Sequence, residues 1–262
     1  FLYLSMKKLL LLSALLIFAC GFSQGDQLYA DGVATDQDGN QFEWINYGTQ
    51  DWAIENAKVV TYRDGTPIPQ VTDAYEWENL TTGAWAYYNN DPTKPRLYNW
   101  YAVMGIHDTD PNTPNKEFAP EGWHVPTDTE WTTLEEHLIA NGYKYDGTTT
   151  PPTSLLSSLG NKIAKAMSST TGWISTTRSV YPNGVIGNDQ SINNSSGFNA
   201  FPEGYRYNYG SFHSVGGIAF FWSSTERNTS EVWSRGLYNT ESYLDRTSDD
   251  GQKGFSVRFV RD

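Results

Sequence analysis

Residues 122–131 read Gly-Trp-His-Val-Pro-Thr-Asp-Thr-Glu-Trp and carry the clearest structural signal of the chain. Thr127 and Glu130 have the spacing of a capping box, in which the threonine hydroxyl accepts from the Glu130 amide and the glutamate reaches back. Pro126 disfavours helical backbone in the residue before it. Trp131 then starts an apolar stripe at helical spacing. The stretch therefore predicts a helix that begins directly after Thr127.

The helix predicted from this start continues through Leu134 and Leu138 and ends at Asn141-Gly142. A second helix is predicted from Ser154 to Met167, because Leu155, Leu159, Ile163 and Met167 fall on one face.

The rest of the chain has the pattern of short strands and turns. Asp38-Gly39-Asn40 predicts a hairpin turn, and the glycine position does not suit an EF-hand calcium loop. Residues 204–207 and 212–215 predict a second hairpin around residues 208–211. From Gly254 to Val260, Phe255, Val257 and Phe259 alternate with Ser256, Arg258 and Val260, which predicts a final strand with the Phe/Val/Phe face buried. The largely buried residues should include Trp123, Trp131, Trp222, Phe255 and Phe259.

The N-terminus has the pattern of a secretory signal. Met6-Lys7-Lys8 precedes an apolar run from Leu9 to Ala19 that is too short for a stable membrane span. We expect residues 1–5 to be upstream reading frame, residues 1–23 to cover the signal, and residues 24–35 to be a short segment before one domain over residues 36–262.

Two cleavage sites stay open. Ile17-Phe18-Ala19-Cys20 approximates a lipobox, so Cys20 could carry a lipid anchor, whereas small residues at Gly21 and Ser23 suit a general signal peptidase. The expected location is outside the cytoplasm, either as an outer-membrane or cell-surface lipoprotein or as a secreted protein.

Composition narrows the classes of function. Cys20 is the only cysteine, so we expect no disulfide and no thiolate metal site. The net charge of −12 opposes binding to nucleic acid. The four histidines are not spaced for a metal, and no nucleophile elbow or phosphate loop occurs. We therefore expect no metal, no cofactor and no enzymatic activity.

The order of many short motifs resembles one family, the Fibrobacter succinogenes major paralogous domain, a secreted or lipoprotein module. The resemblance covers about residues 36 to 262, and its motifs are residues 38–40, 52–56, 62–69, 97–103, 122–127, 130–131, 197–200, 204–206, 222–226 and 254–262.

This family is in turn similar to the formylglycine-generating enzymes. The resemblance implies an α+β, C-type-lectin-like fold, with two helices beside a twisted antiparallel sheet and much irregular loop. The cysteine pair of those enzymes is missing, and so are the Glu-Pro-Asn, Gln-Pro-Asp and Trp-Asn-Asp triplets of calcium-dependent lectins. The resemblance therefore implies a fold but neither of those activities.

Ten tryptophans and seventeen tyrosines make the chain rich in aromatic residues, which suit stacking on sugars or partner side chains. We expect a non-catalytic module that binds an extracellular glycan or protein through an exposed patch of Arg235, Tyr238, Tyr243 and Arg246. A degenerate formylglycine-generating-type enzyme and a structural envelope protein are the alternatives.

Overall fold

A computed structural model of the protein describes residues 30–152, 160–176 and 183–262. The strands in these ranges are β1 Gly32–Thr35, β2 Gln41–Tyr47, β3 Gln50–Ala53, β4 Trp85–Tyr87, β5 Arg96–Tyr98, β6 Tyr205–Arg206, β7 Phe212–His213, β8 Ile218–Glu226, β9 Val232–Tyr238, β10 Asp245–Asp249 and β11 Val260–Arg261. The α-helices are α1 Ala74–Glu78, α2 Trp100–Val103, α3 Asp128–Ala140 and α4 Ala164–Met167, and 3-10 turns cover Tyr88–Asn90 and Gln190–Ile192.

The strands form small antiparallel sheets. One sheet has the order β1-β2-β3-β11 and a second has the order β10-β9-β8, while β4-β5 and β6-β7 are two-stranded. The last strand pairs with β3 through Val260 and Trp52, so the end of the chain closes a sheet that begins near residue 32. The described residues thus form an α+β structure of open sheets with few helices, and the predicted β6-β7 hairpin is confirmed.

Helix α3 begins and ends where its sequence signals predict. The Thr127 hydroxyl accepts from the Glu130 amide at 3.2 Å, and the Thr127 amide donates to the Glu130 carboxylate at 2.6 Å. Asn141 follows the last helical residue, and Gly142 adopts a left-handed φ of 81°. Trp131, Leu134 and Leu138 are fully buried, which confirms the predicted helical phase.

The second predicted helix is shorter than its apolar periodicity suggests. Between residues 160 and 167, the described part of this prediction, α-helix is present only over α4. Lys162 has a left-handed φ of 52° that no α-helix accommodates. Residues 154–159 of the prediction lie outside the described residues. Ile163 and Met167 are buried as expected, so the apolar stripe reports burial of this segment rather than one continuous helix.

Two apolar cores lie on opposite faces of the same sheets. In β8, Phe220 and Trp222 belong to the first core, whereas Phe221 belongs to the second. Successive side chains of a strand point to opposite faces. In a strand that is covered on both faces, successive side chains therefore pack alternately in the first core and in the second. The five aromatic residues predicted to be buried are all buried, namely Trp123, Trp131, Trp222, Phe255 and Phe259.

The predicted burial of Phe255, Val257 and Phe259 is confirmed, but the regular strand is shorter than predicted and covers only Val260–Arg261. Phe255, Val257 and Phe259 pack in the first core as expected, but Arg258 and Val260 on the other face are buried as well. The alternation of polar and apolar residues therefore does not mark a solvent face here. Arg258 can be buried because backbone carbonyls and the Asn56 side chain accept its hydrogen bonds.

The turn between β1 and β2 is the predicted hairpin turn. The Asp36 carboxylate accepts from the amides of Asp38 and Asn40 at 3.0 and 2.9 Å. The Asp38 carboxylate accepts from the Val60 amide at 2.6 Å and from the Thr61 hydroxyl at 2.7 Å. These carboxylates stabilise the turn and its neighbouring loop.

The proposed signal segment and Cys20 lie outside the described residues. Within the described ranges, no helix has the length and hydropathy needed to cross a bilayer.

Candidate functional site

The four residues predicted to form one exposed patch do not do so. Arg235 is fully buried and forms ion pairs with Asp128 and Glu135, each at 2.8 Å. An arginine in the middle of β9 faces helix α3, where two carboxylates compensate its charge. The prediction that Arg235 is exposed is therefore wrong.

Arg246 and Tyr238 lie on opposite faces of the sheet, and Tyr243 lies in the turn between β9 and β10. Arg246 is the cross-strand partner of Arg235 and also binds Asp128, while its guanidinium lies 3.5 Å from the ring centre of Trp233. Tyr238 lies on the opposite face, since it packs against Phe220 of the first core. The odd spacing between Arg235 and Tyr238 places them on opposite faces, so the single patch is contradicted.

Tyr238 instead belongs to a cluster of half-buried and exposed rings around the β6-β7 hairpin. We define the tyrosine surface as Tyr205, Tyr207, Tyr209, His213 and Tyr238. The Tyr207 and Tyr209 rings lie 4.4 Å apart, and the Tyr205 ring stacks on His213 at 5.6 Å. Tyr209 is 51% exposed. Phe220 lies beneath the surface and contacts Tyr205 and Tyr238.

Charged groups border this surface. The Lys253 ammonium lies 4.9 Å from the ring centre of Tyr207 and donates to Asp249 at 2.7 Å. Asp249 also accepts from the Ser234 hydroxyl at 2.7 Å. The surface thus combines flat rings with hydroxyl, imidazole and ammonium groups, and the Asp249 carboxylate that holds Lys253 is buried.

Burial raises the pKa of both Tyr238 and Tyr205 above the ordinary value of 10.0. Their hydroxyls therefore stay protonated at neutral pH and can both donate and accept hydrogen bonds. Tyr243 lies near enough to contribute to the raised pKa of Tyr238.

The sequence does contain a signal for this surface. Tyr205, Tyr207 and Tyr209 recur at every second residue in a segment predicted as a strand and its turn. Period-two spacing places side chains on one face of a strand.

An open cleft of about 500 Å³ lies on another part of the molecule. Its lining residues come from the segment after β3, from the β4-β5 connection and from residues near Glu203, and they include Asn56, Lys58, Tyr87, Lys94, Arg96, Phe201, Glu203 and Arg258. Sequence reasoning did not identify this cleft, because its walls are loops that are distant along the chain.

At the floor of the cleft, the side-chain amide of Asn56 forms hydrogen bonds to both Glu203 and Arg258. The Asn56 side chain donates to Glu203 at 2.7 Å and accepts from the Arg258 guanidinium at 2.7 Å. Burial raises the pKa of Glu203 above 4.5, although Asn56 and Arg258 oppose this shift. Burial also lowers the pKa of Arg258 to about 10, so the guanidinium remains charged at neutral pH.

His124 lies beside the helix start, and its Nε2 atom donates to the Glu130 carboxylate at 2.5 Å. The hydrogen bond raises the pKa of His124, and this histidine has a structural partner. In residues 30–152, 160–176 and 183–262, no group of three or more His, Cys, Asp and Glu side chains could hold a metal ion.

Comparison with known proteins gives one family match. A family model described as the Fibrobacter succinogenes major domain matches residues 45–261. No curated protein and no solved structure matches the chain. The matched range contains the tyrosine surface and the cleft.

Proposed function

The chain belongs to the Fibrobacter succinogenes major domain family, and from that membership we propose that it is an exported, non-catalytic module that binds a glycan through the tyrosine surface. The N-terminal signal pattern supports export, with Cys20 as the residue that a lipid would modify. We also propose a C-type-lectin-like fold, which the order of the family motifs and the pairing of β11 with β3 support.

The observation that carries the proposal is the tyrosine surface itself. Tyrosine rings provide large, rigid contact areas and lose little conformational entropy when a ligand binds. A sugar ring offers a flat face of C–H groups and hydroxyls at its edge, so it matches rings that are bordered by polar groups. Tyr207, Tyr209 and His213 provide the rings, and Lys253 provides a charged donor at the border.

The test compares the wild-type protein with Tyr207→Ala/Tyr209→Ala on a glycan array and on purified envelope polysaccharide. Loss of the two rings should weaken binding by about tenfold or more. Because the rings are exposed or half-buried, the unfolding temperature should change little. Tyr145→Ala is the matched control, since Tyr145 is also half-buried beneath a lysine, Lys162, but lies outside the tyrosine surface.

Two results would contradict the proposal. One is glycan binding that the double substitution leaves unchanged, and the other is the absence of binding to any glycan. Capture of an envelope component that protease treatment destroys would show that the ligand is a protein instead.

A further inference from the structure

The cleft beside Glu203 has the features of a second, independent binding site. Its volume of about 500 Å³ falls in the range of small-molecule sites. Its deepest polar groups are fixed, because Asn56 is held by hydrogen bonds to both Glu203 and Arg258. Fixed polar groups in a concave site bind a ligand without first having to be ordered.

Positive charge is concentrated at the rim of this cleft. Lys58, Lys94 and Arg96 line it, with the Glu55 carboxylate beside them, although the whole chain carries a net charge of −12. Lys58 and Lys94 are exposed, and the Lys58 ammonium lies 3.4 Å from Glu55, an exposed pair that contributes little. Within the described residues, no carboxylate lies within 4.0 Å of the Lys94 ammonium. A basic rim on an acidic protein favours an anionic ligand.

The carboxylate of Glu203 adds a second feature that a ligand of the cleft should match, after the positive rim. Its Oε2 atom accepts from Asn56 and, at 3.5 Å, from the Ser256 hydroxyl. Among the described residues, no group donates to its Oε1 atom. This acceptor on Glu203 therefore favours a ligand that carries hydrogen-bond donors in addition to negative charge. Hydroxyl groups meet this requirement, whereas a fully ionised phosphate has no proton to donate and would be repelled.

Aromatic side chains in the wall of the cleft add a third feature that a ligand should match. Phe201 is 39% exposed at the wall of the cleft, and the ring of Tyr87 lies beneath the Arg96 guanidinium at 5.5 Å. Arg96 also stacks on Trp85 at 5.1 Å, which holds its guanidinium in a defined plane. A ligand with a flat apolar face can contact Phe201 while its anionic group meets the rim.

We propose that this cleft binds an acidic sugar, a uronic acid residue of a polysaccharide. A uronate combines one carboxylate, several hydroxyl donors and a flat C–H face in one small ring. The carboxylate would lie toward Lys58, Lys94 and Arg96, and the hydroxyls would lie toward Asn56 and Glu203. The inference stands apart from the tyrosine surface, because no residue of that surface lines the cleft.

Calorimetric titration with trigalacturonate tests the proposal, and the methyl ester of the same trisaccharide is the neutral ligand. We expect the protein to bind the acid at least about tenfold more tightly than the ester, and to bind it more weakly as salt is added. Lys58→Gln/Lys94→Gln should weaken binding of the acid by about tenfold, and Phe201→Ala should weaken binding of both ligands.

Lys116→Gln/Lys162→Gln is the matched control, because it removes the same charge at two lysines that do not line the cleft. The control and Tyr207→Ala/Tyr209→Ala should both bind the acid as the wild-type protein does. Thermal unfolding of each variant shows whether it is folded.

Three results with the wild-type protein and the lysine variant would overturn the inference, and so would one result with the tyrosine variant. The three are no binding of the acid to the wild-type protein, equal binding of acid and ester, and unchanged affinity in Lys58→Gln/Lys94→Gln. Loss of acid binding in the tyrosine variant alone would place the acid at the tyrosine surface and would equally overturn it.

Discussion

Three arginines, Arg206, Arg235 and Arg258, are fully buried, and each is compensated differently. Arg235 forms ion pairs with two carboxylates, whereas Arg206 donates to backbone carbonyls and lies 4.2 Å from the ring centre of Trp77. Arg258 donates to carbonyls and to Asn56. A buried cation is tolerated when its donors are satisfied, so the residue type alone does not place an arginine on the surface.

Glu203 provides a prediction about pH. Its pKa is raised in the folded state, so folding favours the protonated form, and the folded protein loses stability relative to the unfolded chain as pH rises above 4.5. Glu203→Gln removes the titrating carboxyl, and with it this loss of stability. The glutamine carbonyl still accepts the hydrogen bond from Asn56. We expect the variant to have a higher urea midpoint than the wild-type protein at pH 7. That advantage should shrink or vanish at about pH 4, below the ordinary pKa of the carboxyl.

Urea unfolding at both pH values, with Glu117→Gln as the control at an exposed glutamate, measures the effect. An equal shift at pH 4 and pH 7 would mean that desolvation of the carboxylate is not its cause.

At the scale of elements, α3 and β9 show what local patterns encode. The capping box, the apolar stripe and the glycine after the end all agree on the bounds of α3. In β9 the alternation of side chains is equally regular, but both faces are covered, by α3 on one side and by the first core on the other. Alternation identifies which residues share a face, and it does not identify which face meets solvent.

The start of α3 gives the second prediction. Thr127→Ala removes the hydroxyl that accepts from the Glu130 amide, so it should lower the free energy of unfolding by about 1 kcal/mol. Thr127→Ser keeps the hydroxyl and should stay within about 0.5 kcal/mol of the wild-type protein. Chemical denaturation of both variants distinguishes them. Identical midpoints for the two substitutions would show that the cap contributes no measurable stability.

At the scale of the whole molecule, the last residues join the two cores. Phe255 and Phe259 pack in the first core, Val260 packs in the second, and β11 pairs with β3. Phe255 also stacks on Trp222 at 4.2 Å. The C-terminal segment is therefore central to the packing, although it is the last part of the chain.

Truncation tests this arrangement. Removal of residues 255–262 deletes apolar groups from both cores, so we expect loss of cooperative unfolding and of near-ultraviolet circular dichroism. Removal of Asp262 alone, an exposed residue, should leave the unfolding temperature unchanged. A cooperative transition in the longer truncation would contradict a central role for this segment.

The candidate sites differ in how far the sequence predicts them. The period-two tyrosines of residues 205–209 are a local signal, so part of the tyrosine surface can be predicted from the sequence. The predicted grouping of Tyr238 with Arg235 and Arg246 is wrong. The cleft was not predictable, because Asn56, Arg96 and Glu203 are far apart in the chain and no spacing relates them.

The sequence by itself determined the family, the helix after Thr127, the hairpins and the aromatic residues of the core, because each depends on neighbouring residues or on a local period. Only the tertiary structure decided that Arg235 is paired and buried, that both faces of residues 255–260 are covered, and that Asn56 bridges Glu203 and Arg258. These features depend on which distant segments cover a strand face, and the period of a strand contains no information about what packs against it.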